Sequence, residues 1–124
     1  MPLLGFKKQF APMVEAGTKR QTIRAKRRDG RNPHPGDTLY LYTGLRTKQS
    51  RKIGEVICIS VEEIVITNAG INLSGVWLNN QQMMSIVRAD GFTSWVDFRA
   101  FFEKTHHFMA IGDIDGFWGL LIKW

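Results

Sequence analysis

One stretch of this 124-residue chain decides its fold and carries most of its chemistry: residues 17–24, which read GTKRQTIR. The glycine provides a turn that delivers Lys19 beside a short strand. On that strand Thr22 and Arg24 share a face, because side chains two residues apart in a strand point the same way. The stretch therefore predicts an amine, a hydroxyl and a guanidinium clustered at one place.

This cluster supports two interpretations. A lysine that is partly desolvated beside other cations loses basicity, so Lys19 could act as a base toward the Thr22 hydroxyl. Arg24 could then hold a phosphate or a carbonyl oxygen through its planar guanidinium. In the other interpretation the segment is a basic strand edge, and its threonine is there for β-propensity. Spacing alone favours the strand edge.

The patterns on either side of this stretch predict an α+β protein. A short helix over residues 7–16 should pack Phe10 and Val14 inward, keep Pro12 in its first turn and end at Gly17. The remaining predicted elements are an exposed loop over 26–36, a strand Thr38–Thr43, a second loop over 44–51, one long bent strand over 53–66, a helix over 77–90 stopped by Gly91, a helix capped by Thr93 or Ser94, an Asp115-Gly116 turn and a strand over 117–124.

Strand alternation defines part of the predicted core. Leu39 and Leu41 should face inward from the strand at 38–43, and Tyr40 and Tyr42 should lie on the opposite face. The other predicted core residues are aromatic or sulfur-bearing: Trp95, Trp118, Trp124, Phe101, Phe102 and Cys58. Several strands, few helices and short connections predict one domain over residues 1–124, a small mixed or antiparallel β-barrel with two or three helices across its openings.

Charge is distributed unevenly along the chain. The net charge is +6, yet residues 1–54 carry 13 Lys or Arg against three acids, and residues 55–124 carry four against eight. A basic face of that kind attracts polyanions. Charge therefore favours a nucleic-acid or phosphate ligand, with solvated, solubilising loops as the alternative.

The predicted phosphate-binding side chains lie mainly in two basic loops, 26–31 and 46–52. Together with Arg24 the candidates are Lys26, Arg27, Arg28, Arg46, Lys48 and Arg51. Tyr40, Tyr42 or an exposed Trp77 would stack on unpaired bases, although core packing with solvated hydroxyls explains the tyrosines equally well. A third interpretation is a regulator whose basic face meets an acidic protein partner.

Several other classes of function are not indicated. No apolar stretch is long enough for a membrane helix, and a single cysteine excludes an intramolecular disulfide, so we expect a cytoplasmic protein. No phosphate-binding glycine loop or dinucleotide fingerprint is present, and therefore no cofactor is predicted. His106-His107 is interpreted as a helix end and Asp113-x-Asp115-Gly116 as a turn, so no metal site is predicted.

The pattern Gly17-x-Lys19-x-x-Thr22-x-Arg24, after a short helix beginning near Phe10, resembles the signature of the ASCH domain. Gly36-Asp37 before a strand, an Ala89-Asp90-Gly91-Phe92 joint, an aromatic-rich helix and a closing apolar strand follow in the order of that family. The resemblance spans nearly the full chain. It implies a fold similar to the PUA domain, a small β-barrel found in RNA-binding and RNA-modifying proteins.

The resemblance also implies a chemistry. Some ASCH proteins are amidohydrolases that remove the acetyl group of N(4)-acetylcytidine with a lysine, a threonine and a glutamate. The lysine and threonine correspond to Lys19 and Thr22, and the acid falls at Asp90, which is one methylene shorter. Other ASCH proteins are RNA-binding proteins or ribonucleases. RNA, single-stranded nucleic acid or a modified nucleoside is thus the expected partner. Hydrolysis of an acylated cytidine is favoured, because the lysine, threonine and acid pattern is present in outline, and a non-catalytic or nucleolytic binding module is the alternative.

Overall fold

The computed structural model describes residues 2–106, 109–111 and 114–124. Within them the elements are β1 Leu3–Phe6, α1 Ala11–Glu15, β2 Gln21–Ala25, β3 Thr38–Thr43, β4 Arg51–Ile57, β5 Ser60–Thr67, β6 Ile71–Leu73, β7 Val76–Trp77, α2 Asn80–Ala89, α3 Trp95–His106, β8 Met109–Ile111 and β9 Ile114–Lys123. The α+β class is confirmed. His107 and Asp113, interpreted above as parts of a helix end and a turn, lie outside the described residues.

The described strands form two sheets. The smaller has the order β1-β3-β4, with β1 parallel and β4 antiparallel to β3. The larger has the order β2-β9-β5-β6-β7, is antiparallel throughout, and carries β8 on β9. Closure of these sheets into a barrel stays a prediction.

A single long strand over residues 53–66 was expected, and this prediction is wrong. The chain instead forms β4 and β5, which belong to different sheets. Cys58 and Ile59 form the corner between them. The Cys58 N–H donates to Asp37 O at 2.8 Å, and the Ile59 N–H donates to Lys123 O at 2.8 Å. The Cys58 N–H thus bonds beside β3 of the smaller sheet, and the Ile59 N–H bonds to β9 of the larger sheet. The chain therefore passes from one sheet to the other at this corner.

Special backbone residues set the ends of the first two helices. α1 is shorter than expected and begins at Ala11, since Pro12 lacks an N–H and is tolerated only in the first turn. Gly17 adopts a φ of 78° after α1, and Gly91 a φ of 98° after α2, as expected of glycines that end helices.

The second helix starts later than expected. Residues 77–90 were predicted as helical, but Val76–Trp77 pairs with β6 as β7. Asn79 then caps α2: its side chain accepts from the Gln82 N–H, and the Gln82 side chain accepts from the Asn79 N–H. This reciprocal capping box fixes the start of the helix at Asn80. For α3, Ser94 is the capping side chain and accepts from the Asp97 N–H at 3.1 Å.

Two hydrophobic clusters make up the core. One lies between the larger sheet and helices α2 and α3, and includes Ile64, Val87 and Phe98. The other lies between the smaller sheet, α1 and the end of β9, and includes Leu39 and Leu41. Strand β3 therefore has the expected bounds and the expected inward leucines, and Tyr40 and Tyr42 are half-buried on its other face.

Two expectations near the C-terminus are wrong. Asp115-Gly116 is not a turn before the last strand, because both residues lie inside β9 and pair with other strands. Trp118 is not a core residue and is 38% exposed. Its neighbour Phe117 faces the helix-covered side of the sheet, and the second cluster covers the opposite side of β9 only from Leu120 onward.

Candidate functional site

A cavity of about 170 Å³ lies where β1, β2 and the ends of α2 and α3 meet. Its polar lining comes from six residues: Lys7, Lys19, Thr22, Arg24, Asp90 and Thr105. Aromatic rings of Phe6, Phe10, Phe101 and Phe102 supply much of the apolar lining. The cavity thus combines an apolar wall with a few convergent polar groups, the usual composition of a small-molecule site.

Lys19 reaches this cavity from the turn that follows α1. Its ammonium donates to the Asp90 backbone oxygen at 2.6 Å and to the Asp90 Oδ1 at 2.9 Å. The Lys19 Nζ also lies 4.9 Å from the centre of the Phe10 ring. Asp90 is the residue at the C-terminal end of α2, 71 positions further along the chain. Its side chain reaches the lysine although it is shorter than a glutamate.

Burial sets the electrostatics of this pair. Lys19 and Asp90 are each only 3% exposed. Burial lowers the pKa of Lys19, and the negative charge of Asp90 opposes that shift. Burial likewise raises the pKa of Asp90, opposed mainly by Lys19. Each residue is displaced toward its neutral form, which is the condition under which a lysine can accept a proton.

Sequence reasoning missed Gln21, which is 3% exposed. Its Nε2 donates to the Ile86 backbone oxygen at 3.2 Å and to Asp90 Oδ1 at 3.3 Å. It therefore ties β2 to the last turn of α2 and holds the carboxylate in place. A signal for it existed, because Gln21 shares a strand face with Ile23, which lies in the core.

Thr22 and Arg24 share a strand face as the sequence predicts. The Arg24 Nε donates to the Thr22 Oγ1 at 2.9 Å, and the Arg24 Nη2 donates to the Gly5 backbone oxygen at 2.5 Å. The guanidinium carbon lies 4.9 Å from the centre of the Phe6 ring. Because the Thr22 oxygen accepts this hydrogen bond from Arg24, the hydroxyl proton of Thr22 points away from Arg24.

The charge on Arg24 persists at neutral pH. Burial lowers the pKa of Arg24 to about 10; nearby Asp90 opposes this shift, and the positive charge of Arg27 adds to it. Four of the predicted residues, Lys19, Thr22, Arg24 and Asp90, therefore line one cavity. An amine of lowered pKa, a hydroxyl, a carboxyl group and a fixed cation are the groups that acyl-transfer chemistry uses.

The two basic loops approach each other at a second place. A cleft of about 630 Å³ is lined by Arg27 and Arg28 from the first loop and Arg46 from the second, with Leu3, Asp29 and Leu45. Lys48 is exposed and does not line this cleft. The structure thus gathers three of the predicted basic residues into one surface, which we call the arginine cleft.

Two other predicted basic residues are engaged in exposed ion pairs. Lys26 pairs with Glu63, and Arg51 pairs with Glu15 through two hydrogen bonds of 2.7 and 3.0 Å. These partners come from different elements, so part of the positive charge of the loops is neutralised within the molecule. The basic surface is consequently narrower than the sequence suggests.

The predicted stacking residues do not line the Lys19 cavity. Tyr40 lies under the Lys52 ammonium, whose Nζ is 5.3 Å from the ring centre, and Tyr42 pairs with Lys52 across the sheet. Trp77 is 54% exposed on β7, at the edge of the other sheet. These rings and the cavity are therefore separate surfaces.

The described part of the chain offers no group of three His, Cys, Asp or Glu side chains able to hold a metal ion. Of the helices in residues 2–106, none has the length and apolar character needed to cross a membrane. Comparison of the chain with known protein families, with curated proteins and with solved structures found no match. The resemblance to ASCH domains therefore rests on the residues quoted in the sequence analysis.

Proposed function

We propose that this protein is an ASCH-type amidohydrolase that hydrolyses the amide of an acylated cytidine, either in RNA or as a modified nucleoside. The observation that carries the proposal is the convergence of Lys19, Thr22 and Asp90 on one cavity. Asp90 Oδ1 lies 2.9 Å from Lys19 Nζ, although the two residues are far apart in the chain.

The proposed reaction begins with proton transfer to Lys19. In its neutral form the amine takes a proton from the Thr22 hydroxyl, or from a water that this hydroxyl positions. The resulting oxygen nucleophile bonds to the acyl carbon, and the amide oxygen takes up the electron pair. Arg24 or backbone N–H groups stabilise that oxyanion.

Collapse of this intermediate breaks the bond between the acyl carbon and the cytidine nitrogen. The nitrogen leaves with a proton returned by Lys19, and Asp90 moves protons to and from the amine. If Thr22 is the nucleophile, water then cleaves the acyl-threonine ester. The products are cytidine and the free carboxylic acid, so no oxidant or cofactor is needed.

We also propose that the two sheets are the walls of a PUA-like barrel. β4 continues into β5 at the Cys58 corner, which joins the sheets on one side. On the other side Arg24 bridges β2 to β1 through its hydrogen bond to Gly5. Cys58 is a buried free thiol, as a cytoplasmic location would allow.

The proposed activity is tested by incubating the protein with N(4)-acetylcytidine and following cytidine by chromatography. Lys19→Ala should lower turnover by about two to four powers of ten, the usual loss when a general base is removed. Lys8→Ala, which changes an exposed lysine outside the cavity, is the matched control. Unchanged turnover in folded Lys19→Ala would refute the role given to Lys19.

The arginine cleft favours a second candidate function, a single-stranded nucleic-acid-binding module with or without nuclease activity. Arg27, Arg28 and Arg46 face one cleft there, and phosphate contacts of this kind make affinity steeply salt-dependent. Binding of a single-stranded RNA should weaken strongly between about 50 and 200 mM salt. A flat salt dependence would argue against this second function.

A further inference from the structure

Two arginines attach β1 to β2 where the described strands share no backbone ladder. The Arg24 Nη2 donates to the Gly5 oxygen, and the Arg27 Nη2 donates to the Leu3 oxygen at 3.0 Å. Leu3 and Gly5 are alternate residues of one strand, so their carbonyl groups point to the same edge. We call this junction the β1–β2 seam.

A second cavity opens at the β1–β2 seam, with a volume of about 210 Å³. Its polar lining includes Arg24, Arg27 and Asn32, over an apolar floor that includes Leu120 and Ile122. The Asn32 Oδ1 accepts from the Arg27 backbone N–H at 2.7 Å, which fixes the loop that carries the second guanidinium. We call this space the seam cavity.

The two guanidiniums at the seam cavity are like charges that repel each other. In the part of the chain that the structure describes, no carboxylate lies within ion-pair distance of Arg24 or Arg27. Burial lowers the pKa of Arg24, the negative charge of Asp90 opposes this shift, and the positive charge of Arg27 adds to it. An anion between them would relieve this repulsion, because each would then be next to an opposite charge.

Within the part of the chain that the structure describes, both residues also have hydrogen-bond donors without a partner. A guanidinium carries five N–H donors. Arg24 uses two of them, on Thr22 and Gly5, and the side chain of Arg27 uses one, on Leu3. The remaining donors in each planar fork suit the oxygens of a phosphate, which arginine recognises through paired hydrogen bonds.

Arg24 lines both the Lys19 cavity and the seam cavity. We propose that the seam cavity binds a phosphate group attached to the nucleoside whose base occupies the Lys19 cavity. This inference rests on the proposed function and names its substrate class: a cytidine nucleotide, as a monophosphate or within a strand, and not a free nucleoside.

Calorimetric titration with cytidine, cytidine 5′-monophosphate and inorganic phosphate tests the site without turnover. The monophosphate should bind about ten- to a hundredfold more tightly than cytidine, as one or two charge-assisted hydrogen bonds provide. Arg27→Gln should remove most of this difference by weakening the monophosphate more than cytidine. Arg27→Lys keeps the positive charge but loses the planar guanidinium, so it should retain part of the difference in affinity between the monophosphate and cytidine.

Arg88→Gln is the matched control, since Arg88 is an exposed arginine at the end of α2, outside the seam cavity. Equal affinities for cytidine and its monophosphate would overturn the inference, as would equal weakening of both by Arg27→Gln. Phosphate binding that depends on Arg27, in a protein that does not bind cytidine, would keep the anion site and reject the proposed function. A dinucleotide with only an internal phosphate then distinguishes a strand from a monophosphate as the source.

Discussion

Two regions of the molecule place charge in opposite environments. One is the buried cluster of Lys19, Gln21 and Asp90, and the other is the pair of exposed basic loops. In the cluster the charged side chains are almost fully buried, and no buried side-chain N or O atom in the described residues lacks a hydrogen-bond partner. Lys26 in the first loop and Arg51, which begins β4, form ion pairs at the surface, where solvent and salt weaken the attraction. The comparison teaches that burial, rather than the number of charges, sets how strongly a charged side chain interacts with its partner in this molecule.

The largest effect should follow the loss of Lys19 from the buried cluster. Lys19→Met leaves the Asp90 carboxylate buried beside an apolar side chain, and breaking a buried pair in this way costs about 3–5 kcal/mol of unfolding free energy. Denaturant unfolding measures this loss. The double variant with Asp90→Asn should recover much of it, because no unpaired charge is then buried.

A matched change at the surface sharpens that comparison. Arg51→Met removes one partner of the exposed pair with Glu15, and its unfolding curve should be indistinguishable from that of the wild type. A loss in Arg51→Met equal to that in Lys19→Met would show that burial does not separate the two regions.

The next effect concerns the protonation of Lys19. The negative charge of Asp90 holds the pKa of Lys19 up, against the larger lowering by burial. Asp90→Asn removes that charge, so the pKa of Lys19 should fall further below 10.5 and the neutral amine should persist to lower pH. NMR titration of the Lys19 ε-methylene measures this pKa without relying on turnover. A rise would contradict the electrostatic description of the pair.

The smallest effect belongs to the arginine cleft. Arg28→Ala and Arg46→Ala should each weaken single-stranded RNA binding about equally for all sequences, and each should lower the slope of log affinity against log salt by roughly one. Lys8→Ala is again the control. Unchanged slopes in both variants would show that the cleft does not contact phosphates.

Much of the fold followed from local pattern. The alternation of Leu39, Tyr40, Leu41 and Tyr42 predicted β3 correctly because that strand has one face in the core and one outside it. Gly17 marked the end of α1, since few other residues adopt a φ of 78° without strain. Such features depend on neighbours in sequence, which a single chain displays directly.

The errors arose where distant parts of the chain decide the outcome. The corner at Cys58 depends on hydrogen bonds to Asp37 and Lys123. The local sequence of residues 53–66 contains no signal that predicts these distant partners. Trp118 is 38% exposed because the second cluster covers its face of β9 only from Leu120 onward, and hydrophobicity alone cannot predict coverage.

The candidate site shows the same division. Strand spacing predicted that Thr22 and Arg24 share a face, and their side chains are hydrogen-bonded. Lys19 and Asp90 are 71 positions apart in the chain, so no rule based on local spacing predicts their contact. Asp90 was selected only through the family resemblance. Gln21 was missed, since a glutamine in a strand suggests no chemistry until its partners are seen.

The β1–β2 seam has a thermodynamic consequence. The first strand is attached on this side by Arg24 and Arg27, the same two residues that line the seam cavity. Attachment of β1 and occupancy of the cavity are therefore coupled equilibria, and coupling between two binding events is reciprocal. An anion bound in the seam cavity should therefore change the equilibrium constant for attachment of β1 by some factor. Attachment of β1 should change the affinity for the anion by the same factor, so a substitution that loosens β1 should also alter anion binding.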